Sequence, residues 1–143
     1  MSQPFDGTVE TANILARLKP LCGGRWYESV PDDAVLATNP DGTIKPFGVL
    51  LRGTPIPSAK DRGLAGERTQ PHILLYSVVI EAANADAAGA VVSAVLDLLL
   101  DFVPSPTASG LKAAGGDSFP TLATATKPSR QVVTSRFTTV INL

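Results

Sequence analysis

The chain has 143 residues, the size of one compact domain, and 44% hydrophobic against 17% charged residues excludes a disordered polyelectrolyte. Twelve Lys and Arg against thirteen Asp and Glu leave a net charge of −1, which excludes nucleic-acid binding through a basic surface. One Cys and one His exclude an intrachain disulfide and a Cys/His zinc site. The charged share is low beside the usual figure of about 25%, so uncharged polar groups or another protein must cover much of the surface.

The elements read as follows along a single domain, residues 1–143. Val9, Ala12, Ile14, Leu15 and Leu18 recur at helical spacing from about Thr8 to Lys19. Asp6 or Thr8 suits the N-cap, and Pro20 with Gly23-Gly24 ends the helix. Arg25 to Pro31 reads as a short aromatic strand. Alternation sends one of Trp26 and Tyr27 into the core and leaves the other as an interface anchor. Pro31-Asp32-Asp33-Ala34 and Asn39-Pro40-Asp41-Gly42 are turns, and Phe47 to Leu51 is a strand entered at Pro46.

Residues 53–71 lack periodicity, which in a compact domain marks function or disorder. Lys60, Asp61, Arg62, Glu67 and Arg68 lie there, and with Arg52 they make six of the chain's 25 charges. That concentration makes the segment a candidate contact arm.

His72 to Glu81 alternates like a central strand. A helix capped by Asn84 then runs from Ala85 to Asp101. Its polar residues Asp86, Ser93, Asp97 and Asp101 form a stripe roughly 80° wide at 100° per residue. Val91, Val92, Val95, Leu96, Leu98, Leu99 and Leu100 fill most of the rest, more than a helix on one sheet needs. The first helix or a neighbouring subunit is expected to cover the second side, with Val91 and Leu98 as contact positions. Residues 104–117 form a second loose segment. Two strands, about Phe119 to Thr126 and Arg130 to Leu143, close the chain around Lys127-Pro128-Ser129. Together these elements predict an α+β fold, a mostly antiparallel sheet of four to five strands with two helices packed on one face.

The chemical candidates are thin. Gly116-Asp117-Ser118 resembles a serine-hydrolase block, but Phe119-Pro120 follows where a strand-to-helix turn is needed. Cys22 beside His72 would make a nucleophile and base, although a lone cysteine at a helix end is more often a small apolar residue. Asp97 and Asp101 sit on a solvated stripe, the wrong setting for acid–base work, and Asp32-Asp33 is turn chemistry. No phosphate-binding loop occurs. Trp26 and Tyr27 lack the interleaved basic residues of a nucleobase platform. No catalytic, cofactor or metal site is expected. The N-terminus has no secretory signal and no apolar run long enough to span a bilayer, so the expectation is a soluble protein of a reducing compartment, with no membrane partner.

The order of these segments is similar to a known family. A helix leads into Arg25-Trp26-Tyr27-Glu28-Ser29-Val30-Pro31-Asp32-Asp33-Ala34, then Lys45-Pro46-Phe47-Gly48-Val49-Leu50-Leu51, a long loop, a strand, the helix with Ala87-Ala88 and Val95-Leu96-Asp97-Leu98-Leu99, and a β-rich end. This resembles the tail terminator (tail completion) proteins of bacteriophages with long, non-contractile tails. Trp26 stands where the family has Val, Phe47 where it has Tyr, and Gly48 interrupts the apolar strand.

The resemblance implies a non-enzymatic virion protein without cofactors. It implies a hexameric ring of identical subunits that caps the tail tube, ends polymerisation and provides the head-joining surface. Its partners would be the tail tube protein and the head–tail connector, with DNA passing through the lumen without specific binding. Its place would be the head-proximal end of the tail, and the host cytoplasm before assembly. The contact residues expected on this reading are Trp26, Tyr27, Arg52, Lys60, Asp61, Arg62, Glu67, Arg68, Val91 and Leu98. A small oligomeric α+β enzyme or ligand-binding domain with an inter-subunit site is the alternative.

Overall fold

The computed structural model describes residues 6–57, 71–123 and 128–142. In chain order it holds α1 (Thr8–Leu18), β1 (Trp26–Tyr27), β2 (Phe47–Arg52), β3 (Ile56–Pro57), β4 (His72–Ala82), α2 (Ala85–Leu99), β5 (Lys112–Gly116), β6 (Thr121–Ala123) and β7 (Arg130–Ile141). β4 and β7 are rich in Val, Ile, Thr and aromatic residues, which suit a half-buried pleated surface. They pair antiparallel over eleven positions, from His72 opposite Ile141 to Ala82 opposite Gln131.

Around this spine the fold is α+β with a mixed sheet, larger than the predicted four to five strands: the described residues form seven strands. The reason is that two lanes are broken. β2 and then β3 run along one side of β4, joined through the bond from Gly53 N–H to the Leu75 carbonyl. β5 and then β6 run along the far side of β7. Five lanes therefore carry seven strands. Among the described residues only β1 with β2 is parallel; the other pairs are antiparallel.

Alternation sets the two faces. Leu74, Tyr76, Val78, Ile80 and Ala82 of β4, with Val133, Phe137 and Ile141 of β7, are buried in one cluster with Ile14 and Leu18 of α1 and Ala88, Val95 and Leu99 of α2. Both helices thus pack on one face. Tyr76 reaches α1, where its hydroxyl lies 3.0 Å from Thr11 Oγ1, and burial pushes its pKa up to about 12. On the opposite face a smaller cluster joins Leu36 and Ile44 to Phe47 and Val49.

Several expectations need correcting. The predicted strand over 25–31 is paired only at Trp26 and Tyr27, because the chain then leaves the sheet to cross its second face, where Leu36 and Ile44 are buried. The loose segments at 53–71 and 104–117 contain β3 and β5, held by pairing to β4 and β7 rather than by β-prone composition. The C-terminal end of α2 is Leu99, not Asp101. Asp101 adopts a left-handed φ of 63°, its N–H bonds the Leu111 carbonyl, and its carboxylate meets Lys112 at 2.6 Å. Asn84 caps α2 as expected, accepting from the Ala87 N–H at 2.8 Å. The N-cap of α1 is neither Asp6 nor Thr8 but Gly7, at a left-handed φ of 78° that glycine adopts without strain, with Asp6 just before it accepting from the Thr8 N–H at 2.9 Å.

Gly48, the interruption in the apolar strand, has a steric cause. The Trp26 indole lies over it, and a β-carbon at this position would collide with the ring atoms. The indole is held from the other side by its Nε1–H bond to the Leu21 carbonyl at 3.1 Å. Gly48→Ala is expected to destabilise by about 1–3 kcal/mol, the usual cost of overpacking. Trp26 fluorescence in urea titrations checks this, and an unchanged midpoint would contradict the placement.

Candidate functional site

The possible nucleophiles and the only histidine are far apart. Trp26, bonded to the residue before Cys22, aligns with Gly48 and through it with Ile80. That is eight residues along β4 from His72, about 27 Å at about 3.4 Å per residue. Asp117, next to Ser118, bonds Thr134 through both backbone and carboxylate, and Thr134 lies opposite Val79, about 24 Å along β4 from His72. Burial raises the Cys22 thiol pKa above its ordinary value, which disfavours the thiolate. Among the described residues no group of His, Cys, Asp and Glu is arranged to hold a metal, and no helix is long and apolar enough to cross a membrane.

The expected contact residues fall into three sets. Trp26 is half-buried against the helix-side core, and Tyr27 packs edge-on to Phe47 on the opposite face, with centroids 5.8 Å apart and planes at 82°. Alternation does separate the two rings, but both sides are occupied within the subunit. Val91 packs against the core, and Leu98 is half-buried. Arg52 is exposed, with Nη1 3.4 Å from Thr11 Oγ1, beside a groove of about 260 Å³ shared with Glu28, Leu50 and Leu51. Lys60, Asp61, Arg62, Glu67 and Arg68 lie outside the described residues.

Much of the expected second cover of α2 comes from within the chain. Arg17 of α1 donates from Nε to the Leu98 carbonyl at 3.1 Å and lies over the Phe102 ring at 5.2 Å. Asn13 donates to the Pro104 carbonyl at 2.7 Å, and Leu15, Leu21 and Phe102 pack against the same core. The exposed side of α2 includes the small residues Gly89 and Ala90 beside Asp86, Ser93 and Asp97, so the solvated stripe is wider than its polar residues suggest.

Exposed apolar side chains occur singly at Val9, Val103, Phe119 and Leu122, and as a group on the sheet face opposite the helices. That face has two halves. One is roofed by residues 28–46, which bury Leu36 and Ile44 on Phe47 and Val49. Arg130 anchors this roof. Its guanidinium, 3% exposed, meets Asp33 Oδ1 at 2.7 Å and Glu81 Oε1 at 3.6 Å, while Nε donates to the Pro128 carbonyl at 3.3 Å. Burial pushes the Glu81 carboxyl above the ordinary carboxylate value, with Arg130 pulling the other way.

The other half is open. Register places Ile56, Ile73 and Val140 in one row across three lanes, with Leu75 and Leu51 on the same face in the next rows, and all five are 36–59% exposed. Sequence reading missed this patch, because its residues come from four strands and only the register collects them. The available signal was the unbroken Leu74-Leu75 and Val78-Val79 pairs, which make β4 apolar on both faces.

These features define a two-helix, five-lane α+β domain whose conspicuous surface is an open apolar sheet face, with no assembled chemistry at the candidate nucleophiles. No protein-family model and no curated protein matches the chain in sequence. Its fold is shared with a chain of a solved structure described as the virion of a native gene transfer agent particle. The TM-score is 0.61 at 19% identity, over 96% of this chain and 100% of that one.

Proposed function

We propose that the chain is a structural protein of a phage-type virion, and within that class a tail terminator. The observation that carries this reading is the end-to-end correspondence of its fold with a virion component, including the whole of that chain. On this reading identical subunits close into a hexameric ring through heterologous contacts. The ring caps the tail tube, stops its growth and offers the other side to the head–tail connector. The protein then resides at the head-proximal end of the tail, after release from the host cytoplasm into the assembling particle. A net charge of −1 suits a lumen through which DNA slides without being held.

Adding the purified chain to polymerising tail tubes tests the role. Tubes capped at one end, of fixed length and competent to join heads, are expected; an unchanged length distribution without caps would overturn it. In the same assay the contact arm is tested by replacing residues 58–70 with a short Gly-Ser turn, which leaves Ile56 paired with Ile73. The variant is expected to fold and fail to cap, whereas full capping activity would remove the arm from the mechanism.

A further inference from the structure

The open half of the sheet offers a contact surface for which the same chain carries a counterpart. Ile56, Ile73, Leu75, Leu51 and Val140 form its apolar centre. Lys112 lies opposite Thr138 and Arg136 opposite Ser77, so the same face carries two cations on its β5 side. Among the described residues no sheet position in this half is a carboxylate. The Lys112 ammonium is already paired with Asp101, but Arg136 has no ion pair to any described residue.

The roof over the other half has the opposite character. Within residues 28–44 the roof contains Glu28, Asp32, Asp33 and Asp41 and no Lys or Arg; Lys45 follows at its far end, and Asp33 is paired with Arg130. Two large apolar side chains on its outer side, Val30 and Val35, are 74% and 65% exposed. Apolar side chains interspersed with carboxylates complement an apolar patch edged by cations, and such complementarity fixes register and partner choice. Each copy carries both surfaces, so the contact either is exchanged reciprocally in a two-fold dimer or propagates from copy to copy until a rotation closes it; the ring reading takes the second arrangement.

We infer that the open half-sheet centred on Ile56, Ile73 and Leu75 is the seat for the acidic 28–35 segment of a second copy of this chain. This rests on the ring reading above and names the contact that builds the ring. It moves the principal subunit contact away from α2 to the opposite side of the sheet. The roof segment then has two jobs: its inner side closes the small core and its outer side docks on the next subunit.

Two variants with complementary defects test the inference by light scattering after size exclusion. Leu75→Glu spoils the seat and keeps the segment, while Val35→Glu spoils the segment and keeps the seat. Wild type is expected to run as a closed multimer and each variant alone as a monomer. An equimolar mixture is expected to give a dimer and nothing larger, since one intact seat meets one intact segment and the chain of contacts stops. Ile56→Glu repeats the seat test at a more exposed position, and circular dichroism melts close to wild type confirm that each variant folds. Multimeric wild type with both variants also multimeric, or a mixture that yields no dimer, would overturn this contact while leaving the ring intact. A wild-type chain that stays monomeric at every concentration would overturn the ring reading and the contact together.

Discussion

Arg130→Met is expected to cost about 3–5 kcal/mol at neutral pH, the usual penalty for removing one partner of a buried ion pair. The side chain is 3% exposed and the Glu81 side chain 11%, so the variant leaves a carboxylate with little access to water. The deficit should depend on pH in a defined direction. Burial holds the folded-state pKa of Glu81 above its ordinary value of 4.5, so the folded chain keeps this proton where the unfolded chain has lost it. The stabilising effect of that uptake is full below 4.5 and is lost as pH rises through the folded pKa. Removing the cation raises this pKa further, so the variant's deficit should be largest at neutral pH and shrink on acidification towards 4.5. Urea melts at the two ends of that range measure it. Adding Glu81→Gln should restore much of the loss at neutral pH and little in acid. A deficit that is the same at both pH values would place the penalty somewhere other than Glu81. Because Arg130 also grips Asp33, the same substitution loosens the roof segment and is expected to weaken assembly.

Phe137→Ala is expected to cost about 3–5 kcal/mol, the range for truncating a buried aromatic side chain. Phe137 is fully buried, opposite Tyr76, in the cluster beneath both helices. Its neighbour Arg136 points to the other face and is exposed, so Arg136→Ala should change stability by no more than about 0.5 kcal/mol. A one-residue slip of β7 against β4 would exchange these two environments. Denaturant titrations of the pair therefore test the register on which the open face depends; equal costs would contradict it.

What could be read from sequence was whatever local chemistry decides. Asn84 caps α2 through its own side chain, β4 declares itself by β-branched and aromatic content, and Asn39-Pro40-Asp41-Gly42 turns with the Gly42 N–H on the Asn39 carbonyl. What could not be read is decided by pairing between distant segments. β5 is Lys-Ala-Ala-Gly-Gly, with no β-prone side chain, and exists because β7 offers it an edge. β3 includes Pro57, a residue without an N–H, tolerated at an edge opposite His72. A linear reading leaves one of Trp26 and Tyr27 outside as an anchor, but Gly48 makes room for one and Phe47 shelters the other.

The candidate site shows the same division. The apolar excess on α2 and the option of cover by α1, which Arg17 supplies, were visible; the added cover by Leu21 and Phe102 was not, because it depends on how the chain folds back after each helix. Exposed apolar side chains such as Val9, Val103 and Phe119 are scattered, whereas Leu51, Ile56, Ile73, Leu75 and Val140 meet on the open half of the sheet only after folding.

Electron microscopy of the purified chain, alone and mixed with tail tubes, addresses the ring most directly. The account predicts ring-shaped class averages with six-fold symmetry, seated at one end of each tube. Isolated single subunits in the purified chain alone, or bare tube ends in the mixture, would contradict it.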